Sequence, residues 1–187
     1  GNWLLDATHS LDASLSYLDA DLRQSDDADW VSEDFCVTYL CASGTDTASE
    51  IFDRKRDRVI ADLRFLGGGD NTASGSSHYV VGLYANRASE NFDYQHPSLW
   101  YGDVSSSSEY DTDRYAAYGE YEYDISDQLT FTAGLRLELF EDDYSDTGDF
   151  RSDNSDTLWS GDISARYTVS DNTMVYATVA SSQKPGG

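Results

Sequence analysis

Leu129-Thr130-Phe131-Thr132-Ala133-Gly134-Leu135-Arg136-Leu137-Glu138-Leu139 decides the fold. Its odd positions are Leu, Phe, Ala, Leu, Leu and Leu, and its even positions are Thr, Thr, Gly, Arg and Glu. Successive side chains of a β-strand point to opposite faces, whereas a helix repeats every 3.6 residues. The stretch therefore reads as an extended segment with one apolar and one polar face. Working outward, the same alternation recurs. Tyr115, Ala117, Gly119, Tyr121, Tyr123 and Ile125 stand against Ala116, Tyr118, Glu120, Glu122 and Asp124. Trp159, Gly161, Ile163, Ala165, Tyr167 and Val169 stand against Ser160, Asp162, Ser164, Arg166 and Thr168. Earlier in the chain, Tyr79, Val81, Leu83 and Ala85 form one apolar row, and Val59, Ala61, Leu63 and Phe65 form another. The first segment runs unbroken from Trp3 to Tyr17, with Leu5, Ala7, His9, Leu11, Ala13 and Leu15 on one face. A seventh segment, Met174 to Ser182, is apolar to small with a weaker phase.

In the first six segments the apolar face holds no Asp, Glu, Lys or Arg. A soluble half-buried sheet alternates too. Length separates the two cases: globular strands usually run about 5–6 residues, and several of these segments run past ten, which suits the roughly 9–11 residues with which a tilted strand crosses a bilayer. The connections differ in length as well. Long polar stretches, Gln24 to Asp57, Ser89 to Asp113 and Glu141 to Asp156, follow the first, third and fifth segments. Short ones, Gly67 to Ser77, Ser126-Asp127 and Ser170-Asp171-Asn172, follow the second, fourth and sixth. Long loops on one side and tight turns on the other are how a bacterial outer-membrane barrel is connected. The pattern predicts an all-β, antiparallel up-and-down meander of about seven transmembrane β-barrel strands, a partial barrel, because single-chain bacterial barrels have even strand counts. Trp3, Tyr79, Tyr121, Tyr123, Tyr167 and Tyr176 are expected at the water–lipid boundary, where rings with a polar handle are favoured.

Composition bounds the function. The 187 residues carry 35 Asp and Glu against 12 Lys and Arg, a formal charge of -23. Phosphates attract basic patches, so a nucleic-acid partner is excluded, as is docking on an anionic membrane surface. Fourteen Tyr, seven Phe and four Trp argue against a disordered chain. No apolar run approaches the length of a spanning helix, and no signal peptide is expected at Gly1. Cys36 and Cys41 are too few for a structural zinc site; a small loop disulfide in an oxidising compartment and two unrelated small residues are both open readings.

Chemistry-bearing motifs are scarce. There is no Gly-x-Ser-x-Gly elbow, no His-Glu-x-x-His and no phosphate loop. No enzymatic activity is expected, and no catalytic, cofactor-binding or metal residue is assigned. Gly67-Gly68-Gly69-Asp70 reads as a turn. Glu120 and Glu122 fit a wetted barrel lumen better than an acid–base pair. Lumen-facing candidates are Arg58, Arg64, Glu120, Glu122, Arg136, Glu138, Asp162 and Arg166, whose mixed signs allow cross-strand pairing worth roughly 0.2–1 kcal/mol each. Two acidic stretches stand out: Asp26, Asp27, Asp29, Glu33 and Asp34, and Glu141, Asp142, Asp143, Asp146, Asp149, Asp153 and Asp156. Calcium favours such oxygen clusters, but the second lacks EF-hand spacing, and a solvated face is the simpler reading. Trp30, Trp100 and Tyr101 are aromatic residues in the long polar stretches.

The last third resembles TonB-dependent outer-membrane receptors. The resemblance is carried by Arg114-Tyr-Ala-Ala-Tyr-Gly-Glu-Tyr-Glu-Tyr-Asp-Ile-Ser-Asp-Gln-Leu-Thr-Phe-Thr-Ala-Gly-Leu-Arg136, Trp159-Ser-Gly-Asp-Ile-Ser-Ala-Arg-Tyr167 and Val175-Tyr-Ala-Thr-Val-Ala-Ser-Ser-Gln-Lys-Pro-Gly-Gly187. Ser182-Gln183 replaces the family's usual Gly-Phe before Lys184. Tyr79-Val-Val-Gly-Leu-Tyr84 and Gly1-Asn-Trp3 add weaker likenesses in the right order. The resemblance implies part of a 22-stranded barrel, with the N-terminal plug and the closing strands absent from residues 1–187. It also implies active uptake, across the outer membrane of a Gram-negative bacterium, of a siderophore-type iron chelate or another large nutrient. The implied partners are the TonB energy-coupling complex, reached through the plug, and the lipid bilayer. A passive outer-membrane porin and a soluble acidic β-sandwich binding module are the alternatives.

Overall fold

A computed structural model of the chain describes residues 1–27, 49–69, 75–97 and 103–185. Eight strands follow one another: β1 (Asn2–Leu4), β2 (His9–Asp27), β3 (Ser49–Gly68), β4 (Ser77–His96), β5 (Val104–Ser126), β6 (Leu129–Asp146), β7 (Arg151–Ser170) and β8 (Thr173–Ser182). They form one sheet in the order β1-β2-β3-β4-β5-β6-β7-β8, each pair antiparallel. No helix occurs among the described residues. The all-β meander expected from alternation is the observed fold.

Register makes the meander a wall. Paired residues of antiparallel strands share a face, and the pairing brings the separate apolar rows together. Leu15 meets Ala61, Ala61 meets Ala85, Ala85 meets Tyr115, and Tyr115 meets Leu139. One rung away, Leu63, Leu83, Ala117, Leu137 and Trp159 are joined in the same way. A one-residue slip at any pair would turn that strand's apolar row to the opposite side. The result is a single uncharged belt across β2 to β7. Its side chains are open: Leu135, Leu137 and Leu139 are 55%, 51% and 53% exposed. Among the described residues no second layer covers them, and Ala116 and Phe140 are the buried hydrophobic ones. A β-sandwich puts such residues between two sheets, so the sandwich alternative fails here.

Belt height fits a bilayer. On β6 the apolar row runs from Leu129 to Leu139, about 33 Å along a strand at ~3.3 Å per residue. Tilted by about 40°, it covers about 25 Å, the height of a barrel's apolar band. Stagger supplies the tilt. The rung through His9 crosses β5 at Tyr121, five residues before the strand ends at Ser126, and β7 at Ile163, seven before Ser170. Stepped strand ends of this kind are the shear that a closed barrel requires.

Three sequence expectations need correction. The first segment is two strands: the chain turns at residues 5–8, and β1 folds back on β2 with Trp3 opposite Leu11. Asp6 makes that turn, its Oδ1 accepting from the backbone N–H of Thr8 at 2.7 Å and of His9 at 2.9 Å. Among the described residues the long polar stretches are largely strand as well. β2 continues to Asp27, β3 begins at Ser49, β4 runs to His96, β5 begins at Val104, β6 runs to Asp146 and β7 begins at Arg151. Only four residues separate β6 from β7, against two between β5 and β6 and two between β7 and β8. Between β6 and β7, where the connection is fully described, the asymmetry thus lies mostly in strand overhang. Finally, Tyr176 pairs with Arg166 and lies on the polar face, whereas Trp3, Tyr79, Tyr121, Tyr123 and Tyr167 lie on the apolar one.

The Asp6 turn gives a pH test. The backbone N–H of Thr8 foremost, then the His9 and Thr8 side chains, hold the Asp6 carboxyl well below the usual carboxylate range. A depressed carboxyl stabilises the fold above its unfolded pKa, and the gain is lost as pH falls through the folded one. Protection of the Thr8 and His9 amides from hydrogen exchange should therefore persist down to about pH 4 and fade only below it. Asp6→Asn should flatten that profile; an unchanged profile would show that the carboxylate does not hold the turn.

Candidate functional site

The candidate site is the face opposite the belt. Every lumen-facing candidate lies there: Arg58 and Arg64 on β3, Glu120 and Glu122 on β5, Arg136 and Glu138 on β6, and Asp162 and Arg166 on β7. This face is the more crowded one. Asn86 and Phe140 are each 3% exposed, and Ala116 and Thr130 are also buried, as expected where side chains converge inside a curved sheet. The eight candidates do not form one cluster. Glu120 and Glu122 lie opposite Gly134 and Thr132, and Arg166 donates to the Thr130 hydroxyl at 3.2 Å. Nothing in this arrangement sets two carboxylates about a common reacting atom.

A connected network occupies the middle of the wall. Gly82 lacks a side chain, and the Tyr118 ring lies over its backbone: a Cβ there would fall 2.3 Å from Tyr118 Cζ. So placed, the Tyr118 hydroxyl donates to Asp62 Oδ2 at 3.0 Å and accepts from Arg64 Nε at 3.0 Å. The Arg136 guanidinium lies 5.0 Å from the Tyr84 ring centroid and 5.8 Å from that of Tyr118. Arg136 also pairs with Glu138 at 2.5 Å, and Arg114 reaches the same carboxylate at 4.0 Å while covering the Phe140 ring at 4.8 Å. Arginine over a ring face combines charge attraction with stacking.

Above the belt the wall continues with residues that sequence reading placed in loops. Arg54 and Arg56 both pair with Glu90, Arg54 Nε at 3.2 Å. Arg58 donates to the Asn86 amide oxygen at 2.6 Å. Phe52, Phe92 and Tyr94 form a ring cluster with centroids 6.1 Å (Phe52–Phe92) and 5.2 Å (Phe52–Tyr94) apart. The missed signal was parity: 52, 54 and 56 continue the even phase that Arg58 and Arg64 already define. Of the ten arginines, Arg54, Arg56, Arg58, Arg64, Arg114, Arg136 and Arg166 face inward, and Arg23, Arg87 and Arg151 outward.

The acidic stretches divide across the sheet. Asp142 is on the inner face and Asp143 on the outer, so they cannot share one cation. Asp146 Oδ1 is taken by the backbone N–H groups of Gly148 at 2.8 Å and Phe150 at 3.2 Å. Among the described residues no group of three His, Cys, Asp or Glu is arranged to hold a metal. Cys36, Cys41, Asp29, Glu33, Asp34, Trp30, Trp100 and Tyr101 lie outside the described residues.

A staggered antiparallel wall, apolar and uncovered on one face, charged and networked on the other, defines the class: a transmembrane β-barrel of the outer-membrane type. Within that class, residues 1–187 match the family described as TonB dependent receptor-like, beta-barrel, and the chain belongs to it. Among solved structures it is similar to the ferric yersiniabactin uptake receptor FyuA from Yersinia pestis, with a TM-score of 0.73 at 15% identity. The match covers 92% of this chain and 25% of that receptor, so the chain spans about a quarter of that receptor's length. No curated protein matches in sequence. The family is one of outer-membrane transport receptors rather than of enzymes.

Proposed function

We propose that this chain is part of the barrel of an outer-membrane receptor that imports a siderophore-type iron chelate, or another large nutrient, with energy from TonB. The single observation that carries the reading is the register-aligned uncharged belt backed by a charged inner wall, in a chain that belongs to the receptor family. The eight strands would then be one sector of a larger closed barrel enclosing a plug, seated in the outer membrane of a Gram-negative cell. FyuA, the similar structure, is a ferric yersiniabactin uptake receptor, which makes iron chelates the first solutes to test. TonB would be engaged through the plug and the bilayer through the belt.

The test is genetic. Under iron limitation, deleting the complete receptor gene and deleting TonB should each abolish growth on the same chelate, and the double deletion should add nothing. Uptake that persists at the wild-type rate without TonB would replace active import with passive permeation, the porin reading.

A further inference from the structure

We propose that an apolar groove in the upper part of the belt seats an acyl chain of a lipid with an ammonium headgroup, whose charge is taken by the carboxylates directly above the groove. This goes beyond the import reading and depends only on the belt meeting lipid.

Three features carry it. First, the belt is not smooth. Ala61 and Ala85 lie side by side on one rung, and Ala117 lies one rung below, opposite Leu83. Where these alanines stand in place of larger side chains, a groove of about 740 Å³ sinks between Leu63, Leu83 and Tyr115, lined almost wholly by apolar atoms. Its size is that of a small-molecule pocket, roughly 300–1,000 Å³, and its lining suits a hydrocarbon chain. Second, the two rungs above the groove are acidic. The first sets Arg87 opposite Asp113 and Asp113 opposite Glu141; the second holds Asp19, Asp57, Asp111, Asp143 and Asp153 with no cation. Seven carboxylates thus meet one guanidinium, which already pairs with Asp113 at 3.8 Å. Same-face rungs are about 7 Å apart along a strand, so these groups stand at headgroup height over a chain lying in the groove. Third, the arrangement selects the sign of that headgroup. Asp19 faces Asp57, Asp111 faces Asp143, and Asp143 faces Asp153; like charges directly opposite one another are destabilising. An ammonium relieves the repulsion, and a lipid phosphate adds to it. The Tyr17 hydroxyl, one rung lower, donates to Asp57 Oδ1 at 2.9 Å and ties that carboxylate to the edge of the belt. A divalent ion bridging to a phosphate would need converging ligands, and among the described residues no three His, Cys, Asp or Glu are so arranged. Inside a bilayer one chain replaces another without hydrophobic gain. The groove therefore fixes where the chain lies, and the headgroup decides which lipid stays.

The experiment uses the full-length receptor in phosphatidylcholine vesicles with a chelator of divalent ions present. Two spin-labelled probes with identical chains are compared, a trimethylammonium lipid and phosphatidylglycerol, and the motionally restricted fraction of each is read by electron spin resonance. The ammonium lipid should associate about 5-fold more strongly, and the preference should fade as salt rises. Asp57→Asn/Asp111→Asn/Asp143→Asn should bring the two lipids to near equality. These residues lie on the wet overhang, so that variant keeps the fold and decides the matter by itself. Ala61→Leu/Ala85→Leu, which fills the groove, should lower the restricted fraction of the ammonium lipid and leave that of phosphatidylglycerol unchanged. Equal association, a preference for phosphatidylglycerol, or a preference that survives the Asn substitutions overturns the proposal. So does a preference that survives filling of the groove, which would make the carboxylates a diffuse field rather than part of a site. Phosphatidylglycerol that gains the advantage once calcium replaces the chelator would show a cation-bridged phosphate instead, and the proposal falls. None of these outcomes bears on solute uptake, so the import reading stands or falls separately.

Discussion

Leu135→Arg is expected to destabilise the folded barrel by about 2–4 kcal/mol, the cost of an arginine on the lipid face near the bilayer midplane. Leu135 sits midway along the β6 row, flanked in register by Gly119 and Gly161, and no neighbour on its face offers a counter-charge. Thr132→Arg is the matched control. Thr132 is three residues away on the other face, opposite Glu122 and Ser164, where an arginine gains a partner and stays wet. The control should change stability by less than about 1 kcal/mol. Unfolding of the full-length receptor from vesicles by urea, read by loss of heat-modifiable migration, measures both. Equal sensitivity at the two positions would mean that the apolar face does not meet hydrocarbon.

Gly82→Val is the second large effect. Its side chain would enter the volume occupied by the Tyr118 ring, 2.3 Å from the nearest ring atom at Cβ alone. Either the ring moves, giving up its bonds to Asp62 and Arg64, or β4 and β5 separate. Overpacking of this kind costs about 1–3 kcal/mol. Gly82→Val combined with Tyr118→Ala should recover much of the loss, because the smaller residue vacates the space. Additive losses in that double-mutant cycle would show that the ring and the glycine are not coupled.

The belt was legible in the sequence because one side of each strand meets lipid and the other water, a contrast that writes itself as period 2. Leu129 to Leu139 needs no partner to be read this way, and the eight inner-face residues follow from the same parity. Where the contrast ends, so does the signal. Above Tyr17, Val59 and Leu139 both faces are wet, and Asp19, Asp57 and Glu141 continue ladders that look like loops. Arg54, Arg56 and Phe52 were hidden there, although their parity with Arg58 was available. The β1–β2 turn was hidden for a different reason. Leu4 and Leu5 are both apolar, so alternation runs through a bend that only the Asp6 side chain announces. On β8 small and apolar residues occupy both faces, leaving the phase of Tyr176 to be set by pairing with β7.

The overhang of the strands has a mechanical consequence. On β5, residues Val104 to Asp113 precede the apolar row, about 30 Å of ladder at ~3.3 Å per residue. β4 is laced to it over the whole span, and β6 from Ser108 onward. Among the described residues this end of the sheet is therefore a stiff parapet of paired strands. Its outer side carries Asp57, Asp93, Asp111, Asp113, Glu141 and Asp143, a fence that turns negative visitors away from the flank. The arginines Arg54, Arg56 and Arg58 lie on the opposite face of the same strands, so the two sides of the parapet differ in sign.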